Sequence, residues 1–143
     1  MSSPLIAEKK VLTLTSAIKI AEAAGHFASN KSWSVVIAIV DDGGNLLCLH
    51  RMDGAPVGSV EVAQAKARTS VIFKAPTKVF ESALAGGLTS LLKLEILPFE
   101  GGVPIIADGF IVGSVGVSGC NASSEDGEVA QAGAEWFSSA LRA

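Results

Sequence analysis

Residues 33–52 read WSVVIAIVDDGGNLLCLHRM. WSVVIAIV (33–40) is a β-branched run, DDGG (41–44) turns the chain, and NLLCLHRM (45–52) is a second run of strand type. Two such runs around an Asp/Gly tetrad predict a β-hairpin. Both runs read as apolar on both faces; in the first, Val35, Ile37 and Ile39 alternate with Val36, Ala38 and Val40. A strand with one wet face alternates apolar with polar. This hairpin is therefore expected to be covered twice, by helices on one face and by another subunit on the other.

Upstream, Leu14, Ala17, Ile18, Ala21, Ala24, Gly25 and Ala28 recur at helical spacing. They predict an amphipathic helix over 14–28 with Thr13 as its N-cap. Lys19, Glu22 and His26 fall on its wet side. Downstream, SVEVAQAKARTSVIFK (59–74) reads as a helix capped by Ser59 and ended by Ala75-Pro76. Thr77 restarts a short helix to about Ala85, Gly86-Gly87 break it, and 88–97 reads as a further helical turn. PFEGGVPIIADG (98–109) and FIVGSVGVSG (110–119) form a second hairpin turning at Asp108-Gly109. Ser123 or Ser124 is placed to cap a C-terminal helix with Glu125 and Asp126 in its first turn, where carboxylates suit the helix dipole. Helices on an antiparallel sheet give the α+β class.

The 143 residues make one domain, 1–143, large enough for a real core. Hydrophobic residues are 49% and charged residues 17%, and mean hydropathy is +0.47. No run reaches the length of about eighteen apolar residues that a membrane span needs. Apolar content of this kind suggests a subunit interface, and a dimer or higher even oligomer is expected. A net charge of -3 with no basic-aromatic patch excludes nucleic acid as a partner. MSSPLIAEKKVLTL lacks the basic-then-apolar order of a signal peptide, so a cytoplasmic protein is expected. Cys48 and Cys120 then read as reduced thiols that pack as small buried hydrophobes, and no zinc-ligand spacing links them to either histidine.

Chemistry concentrates at HRMDGAPVGS (50–59), between the second strand and a helix N-terminus. Arg51 can grip a carboxylate with both arms of its guanidinium, or clasp Asp53. Asp53 and Gly54 shape the loop. Alternation along the strand sends His50 to the opposite face from Arg51, and His50 is the histidine better placed to ligate a metal or move a proton. Lys66 lies on the packed side of its helix, where a lysine must snorkel, find a carboxylate or carry function. Ser114, Gly116 and Ser118 share one strand face, a row that admits another backbone or a flat ligand. No phosphate-loop, dinucleotide or nucleophile-elbow pattern is present.

VDDGGNLL running into RMDGA, then AQAKARTS, GGVPI, IVGSVGVSG and the acidic ED before the last helix, in this order, resemble the GlcG/HbpS-like proteins. These are also called the haem-degrading or DUF336 family, and they are related to the C-terminal domain of PduO-type corrinoid adenosyltransferases. The resemblance runs over roughly residues 10 to 140. It implies a profilin-like fold, a central antiparallel sheet flanked by helices, in homo-oligomers. It also implies haem or another tetrapyrrole as the ligand. The family pattern falls on Arg51, Met52, Asp53, Gly54 and Ala55, on Lys66, on Gly101 to Pro104, on Gly116 to Gly119, and on Glu125 and Asp126.

Three functional readings follow. In the first, a haem-binding module, His50 is the metal ligand. The ligand surface then comprises His50, Arg51, Met52, Gly54, Lys66, Gly102, Pro104, Ser114, Gly116, Ser118 and Glu125. Propionates meet Arg51, Lys66 or a helix N-terminus, and the ring lies on the Gly/Ser row and neighbouring aliphatics. In the second, a catabolic enzyme acts on a small carboxylate, with Lys66 as base or Schiff-base former, Arg51 as clamp, and Asp53 or Asp126 as proton partner. In the third, the chain is an accessory oligomer without catalysis. If Lys66 sits half-buried beside the RMDGA loop, Lys66→Met is expected to keep the fold and abolish ligand binding or turnover, since methionine preserves the packing volume.

Overall fold

Asp41 organises the first turn. Its Oδ1 accepts from the amides of Gly43 and Asn45, both at 2.9 Å. Gly44, at φ 82°, supplies the left-handed step. The flanking residues pair as β1 (Val36–Asp41) and β2 (Leu46–Arg51), with a bulge between Ile39 and Val40. The second hairpin, β3 (Gly102–Ala107) and β4 (Phe110–Ser118), turns at Asp108-Gly109, both at positive φ. Two successive positive φ values are the geometry of the tight hairpin turn that Asp-Gly favours. β1 joins β4 antiparallel, so the sheet order is β2-β1-β4-β3.

This computed structural model describes residues 4–143; the first three residues of MSSPLIAEKK lie outside it. Four α-helices accompany the sheet: α1 (Leu14–Asn30), α2 (Ser59–Phe73), α3 (Lys78–Ala85) and α4 (Ser123–Arg142), with a 3-10 turn at Thr89–Lys93. The architecture is α+β, an antiparallel sheet flanked by helices.

The core has two halves, one on each sheet face. Val35, Ile37, Ile39, Ile105, Val115 and Val117 pack on α1 and α4. Val36, Ala38 and Val40 pack on Ala63, Ala67 and Val71 of α2. Each fully buried Val or Ile contributes about 1.5–3 kcal/mol. The twofold apolarity of β1 is thus satisfied inside one chain. The second cover is α2, and no subunit is needed there.

The Gly/Ser row of β4 explains how α2 comes so close. A Cβ on Gly116 would collide with the Ala63 carbonyl and lie 2.6 Å from the Ala67 nitrogen. Ser114 Oγ donates to the Ala67 carbonyl, and Ser118 Oγ reaches Ser59 Oγ at 3.2 Å. The row admits a backbone, and that backbone is a helix.

Several local expectations change. Thr13 does cap α1, accepting from the Ser16 amide at 3.1 Å. The residue before α2, however, is Gly58 without a side-chain cap, while Ser59 is buried in the helix and faces Ser118. Ala122 precedes α4, where Glu125 Oε1 accepts from the Ala122 amide at 3.2 Å; Ser123 instead donates to Glu81. Leu14 and Ile18 stay exposed, because α1 buries Ala17, Ile20, Ala21, Ala24 and Ala28. These small residues let α4 approach, with Gly133 set against Ile20 and Ala24.

Candidate functional site

Met52 to Ala55 form a tight turn closed by the Ala55 amide on the Met52 carbonyl at 3.1 Å. Gly54 takes φ 86° there, the third position of a type II turn, which favours glycine. Gly54 and Asp53 therefore shape the loop. Arg51 pairs with Val36 and points to the α2 face; His50 pairs with Ile37 and points to the α1/α4 face. Cys48 and Met52 share the His50 face and pack against the larger core half. Leu49, His50, Arg51, Met52 and Asp53 together line a shallow depression on this outer strand. Among the described residues no ion pair joins Arg51 to Asp53, so the clasp is not formed.

Lys66 is elsewhere. Its side chain is 3% exposed, and its Nζ lies 3.0 Å from Asp126 Oδ2 and 3.0 Å from the Val117 carbonyl. Asp126 Oδ1 accepts from the Cys120 amide at 3.0 Å. One ion pair thus ties α2, β4 and the start of α4 together. Gly101 leaves the room: a Cβ there would sit 2.8 Å from Lys66 Nζ. A sealed, salt-bridged ammonium offers no lone pair to a substrate. Lys66 is sealed in its ion pair while Arg51 lines the open depression on β2, so the structure does not assemble a two-cation cleft from them.

Of the other anticipated ligand residues, Gly102, Pro104, Ser114, Gly116 and Ser118 all lie on the α2 face. Ser114, Gly116 and Ser118 are buried under that helix. A flat ring cannot lie on that row. Glu125 is engaged in closing the first turn of α4.

A cleft of about 430 Å³ that sequence reading missed opens beside the ion pair, between α1, α4 and the start of β3. Phe27, Val103, Lys78, Glu100, Glu128 and Glu135 are among the residues lining it. Glu100 folds over Gly127, where any Cβ would strike its carboxylate. Burial, and then the charge of Glu81, push the Glu100 carboxyl above its ordinary value. Glu100 stands directly before the GGVPI motif, but its partners on α3 and α4 are distant in sequence, so spacing alone gave no signal for it.

With this geometry, the sequence profile described as "Haem degrading protein HbpS-like" matches residues 12–135. The chain belongs to the HbpS-like family. Protein GlcG of Escherichia coli is 40% identical over 111 residues, covering 77% of this chain and 83% of GlcG. Among solved structures, protein ORFY of Klebsiella pneumoniae, a DUF336 protein, superposes with TM-score 0.88 at 32% identity, over 96% of this chain and 98% of its own. A structure described as a PduOC:heme complex matches with TM-score 0.78 at 30% identity, over 88% of this chain and 94% of that one. This HbpS-like chain has no helix, among the described residues, long and apolar enough to cross a membrane.

Proposed function

We propose that this chain binds haem or a related tetrapyrrole at the outer edge of β2, with His50 as the iron ligand. The observation that carries the reading is the likeness to the PduOC:heme complex along most of the chain, at 30% identity. The donor set fits. His50 and Met52 stand on one face of an edge strand, half-buried and within an open depression, and imidazole and thioether are the nitrogen and sulfur ligands that haem iron takes. Arg51, exposed and without an ion-pair partner among the described residues, offers a fork to a propionate. When bound, haem would supply a redox-active iron; the protein supplies ligation, orientation and charge.

The placement differs from a ring lying on the Gly/Ser row, since α2 occupies that row. It differs also from propionates held by Lys66, which is already paired. In the same reading, residues 1–143 work as one domain, in the cytoplasm, as a homo-oligomer. Titrating haem into the purified protein tests the binding. A Soret band that shifts and saturates at about one haem per chain is expected, and a spectrum that stays that of free haem contradicts the reading.

A further inference from the structure

The cleft beside Glu100 shares no lining residue with the depression on β2. It runs along α4, where Glu128, Gln131, Ala132 and Glu135 face it. Residues 128, 131 and 135 follow one another at helical spacing, so they form one stripe of that helix. From Glu128 to Glu135 the axis rises by roughly 10 Å. Phe27, Pro76 and Val103 stand on the other side of the trough. Its volume of about 430 Å³ lies in the range of small-molecule sites.

The charges on its rim are not accounted for by the fold. Carboxylates in the first turn of a helix answer the helix dipole, as Glu125 and Asp126 do in α4. Glu128 and Glu135 lie beyond that turn, are exposed, and form no ion pair among the described residues. Gln131 Nε2 donates to Glu135 Oε1 at 3.1 Å and holds that carboxylate on the stripe. Lys78 acts on Glu100 instead: burial and then Glu81 raise the Glu100 carboxyl, and Lys78 offsets part of the rise. The aromatic wall adds an independent attraction. Lys31 Nζ stands 5.6 Å from the centroid of Phe27 and 6.0 Å from that of Trp33, so this ring draws an ammonium group in the structure itself. A compact metal ion fits poorly, because no three His, Cys, Asp or Glu side chains among the described residues converge on one point. A long ligand with an apolar middle and a cation at each end matches the trough.

We propose that this cleft binds a linear aliphatic polyamine. Glu128 and Glu135 hold its terminal ammonium groups, and Phe27, Val103 and Ala132 cover its methylenes. The site is distinct from the β2 edge, and the proposal does not rest on the haem reading.

The test uses purified protein without haem, at constant ionic strength, with binding followed by calorimetry and by backbone amide shifts. Spermidine should saturate at about one per chain and move the amides of Val103, Gln131 and Ala132. Diaminooctane, with the charge of putrescine and the length of spermidine, should also bind. Putrescine is too short to reach both carboxylates and should bind at least threefold more weakly than diaminooctane. Mg²⁺ at equal concentration, a charge without methylenes, should not displace spermidine. Glu128→Gln and Glu135→Gln, both exposed and of unchanged shape, should each weaken spermidine about two- to fivefold, as partly solvated charge pairs do, and together by about the product. Glu95→Gln, an exposed carboxylate outside the cleft, should leave the affinity unchanged. Absence of saturation at millimolar spermidine, or equal affinity for putrescine and diaminooctane, would overturn the proposal. So would displacement by Mg²⁺ or an equal loss in Glu95→Gln, since either reduces the effect to attraction by net negative charge. Failure of haem binding with polyamine binding intact would sink only the reading at His50.

Discussion

Lys66 Nζ and Asp126 Oδ2 stand 3.0 Å apart with almost no access to water, sixty residues apart in the chain. Lys66 reaches through the gap left by Gly101, and Asp126 is held by the Cys120 amide. This pair decides how a packed lysine in an Ala-rich helix is read: it found a carboxylate.

Removing one partner strands the other. Lys66→Met leaves a buried carboxylate without its cation, and is expected to cost about 3–5 kcal/mol, contrary to the sequence expectation that the fold is kept. Adding Asp126→Leu should recover most of that loss. Urea unfolding of the single and double variants checks this; a single variant within about 0.5 kcal/mol of the parent contradicts the account.

Gly116 is where α2 touches the sheet. Gly116→Ala puts a methyl against the Ala63 carbonyl and the Ala67 nitrogen, so the helix must lift. A loss of about 1–3 kcal/mol is expected, as for other overpacked cores. Gly109→Ala meets no neighbouring atom and bears only the strain of φ 81°, so it should cost less. Thermal melts that rank the two the other way would refute the close packing.

Glu100 carries a stability slope with pH. Its carboxyl is raised above 4.5 in the folded chain, chiefly by burial, so the folded state holds that proton more tightly than the unfolded one. The resulting stabilisation is full below about the unfolded value and is lost as pH climbs through the folded value. Glu100→Gln should flatten this fall and raise the melting temperature at pH 7 relative to the parent. A parent and variant with parallel melting-temperature profiles from pH 4 to 8 would show that the carboxyl is not strained.

The thiols should be sluggish. Burial, and next the Asp126 charge, push Cys120 up to about 12, and burial also raises Cys48. Both are then almost wholly protonated at pH 7, and the thiolate is the reactive form. Iodoacetamide should label Cys120 far more slowly than a free peptide cysteine and accelerate as pH approaches 12. Rapid labelling at pH 7 would contradict the half-buried placement beside Asp126.

The hairpins, the helices and the α+β class were legible because each rests on local chemistry: β-branched runs, Asp-Gly turns, and the helical spacing that places Ala17, Ala21 and Ala24 inward. The opposite orientations of His50 and Arg51 followed from strand alternation alone. The caps were misplaced at Ser59 and Ser123 because a serine hydroxyl has several partners within reach. Here Ser118 and Glu81 took them. The partner of Lys66, the helix over Gly116 and the cleft beside Glu100 all join residues far apart in sequence. No periodicity within one element encodes such contacts. The two-sided apolarity expected of the hairpin holds for β1, where it called for a helix from the same chain and not for a second subunit, but not for β2, an edge strand whose residues stay half-buried or exposed.

The central claim is that iron is held by His50 on the outer edge of the sheet, and one comparison tests it most directly. Haem is titrated into the parent, His50→Ala and His26→Ala, and the Soret band is followed. His26 lies on the exposed side of α1, so its variant should match the parent. His50→Ala should blunt the band and weaken binding by tenfold or more. Identical Soret spectra and affinities for all three proteins would contradict the account.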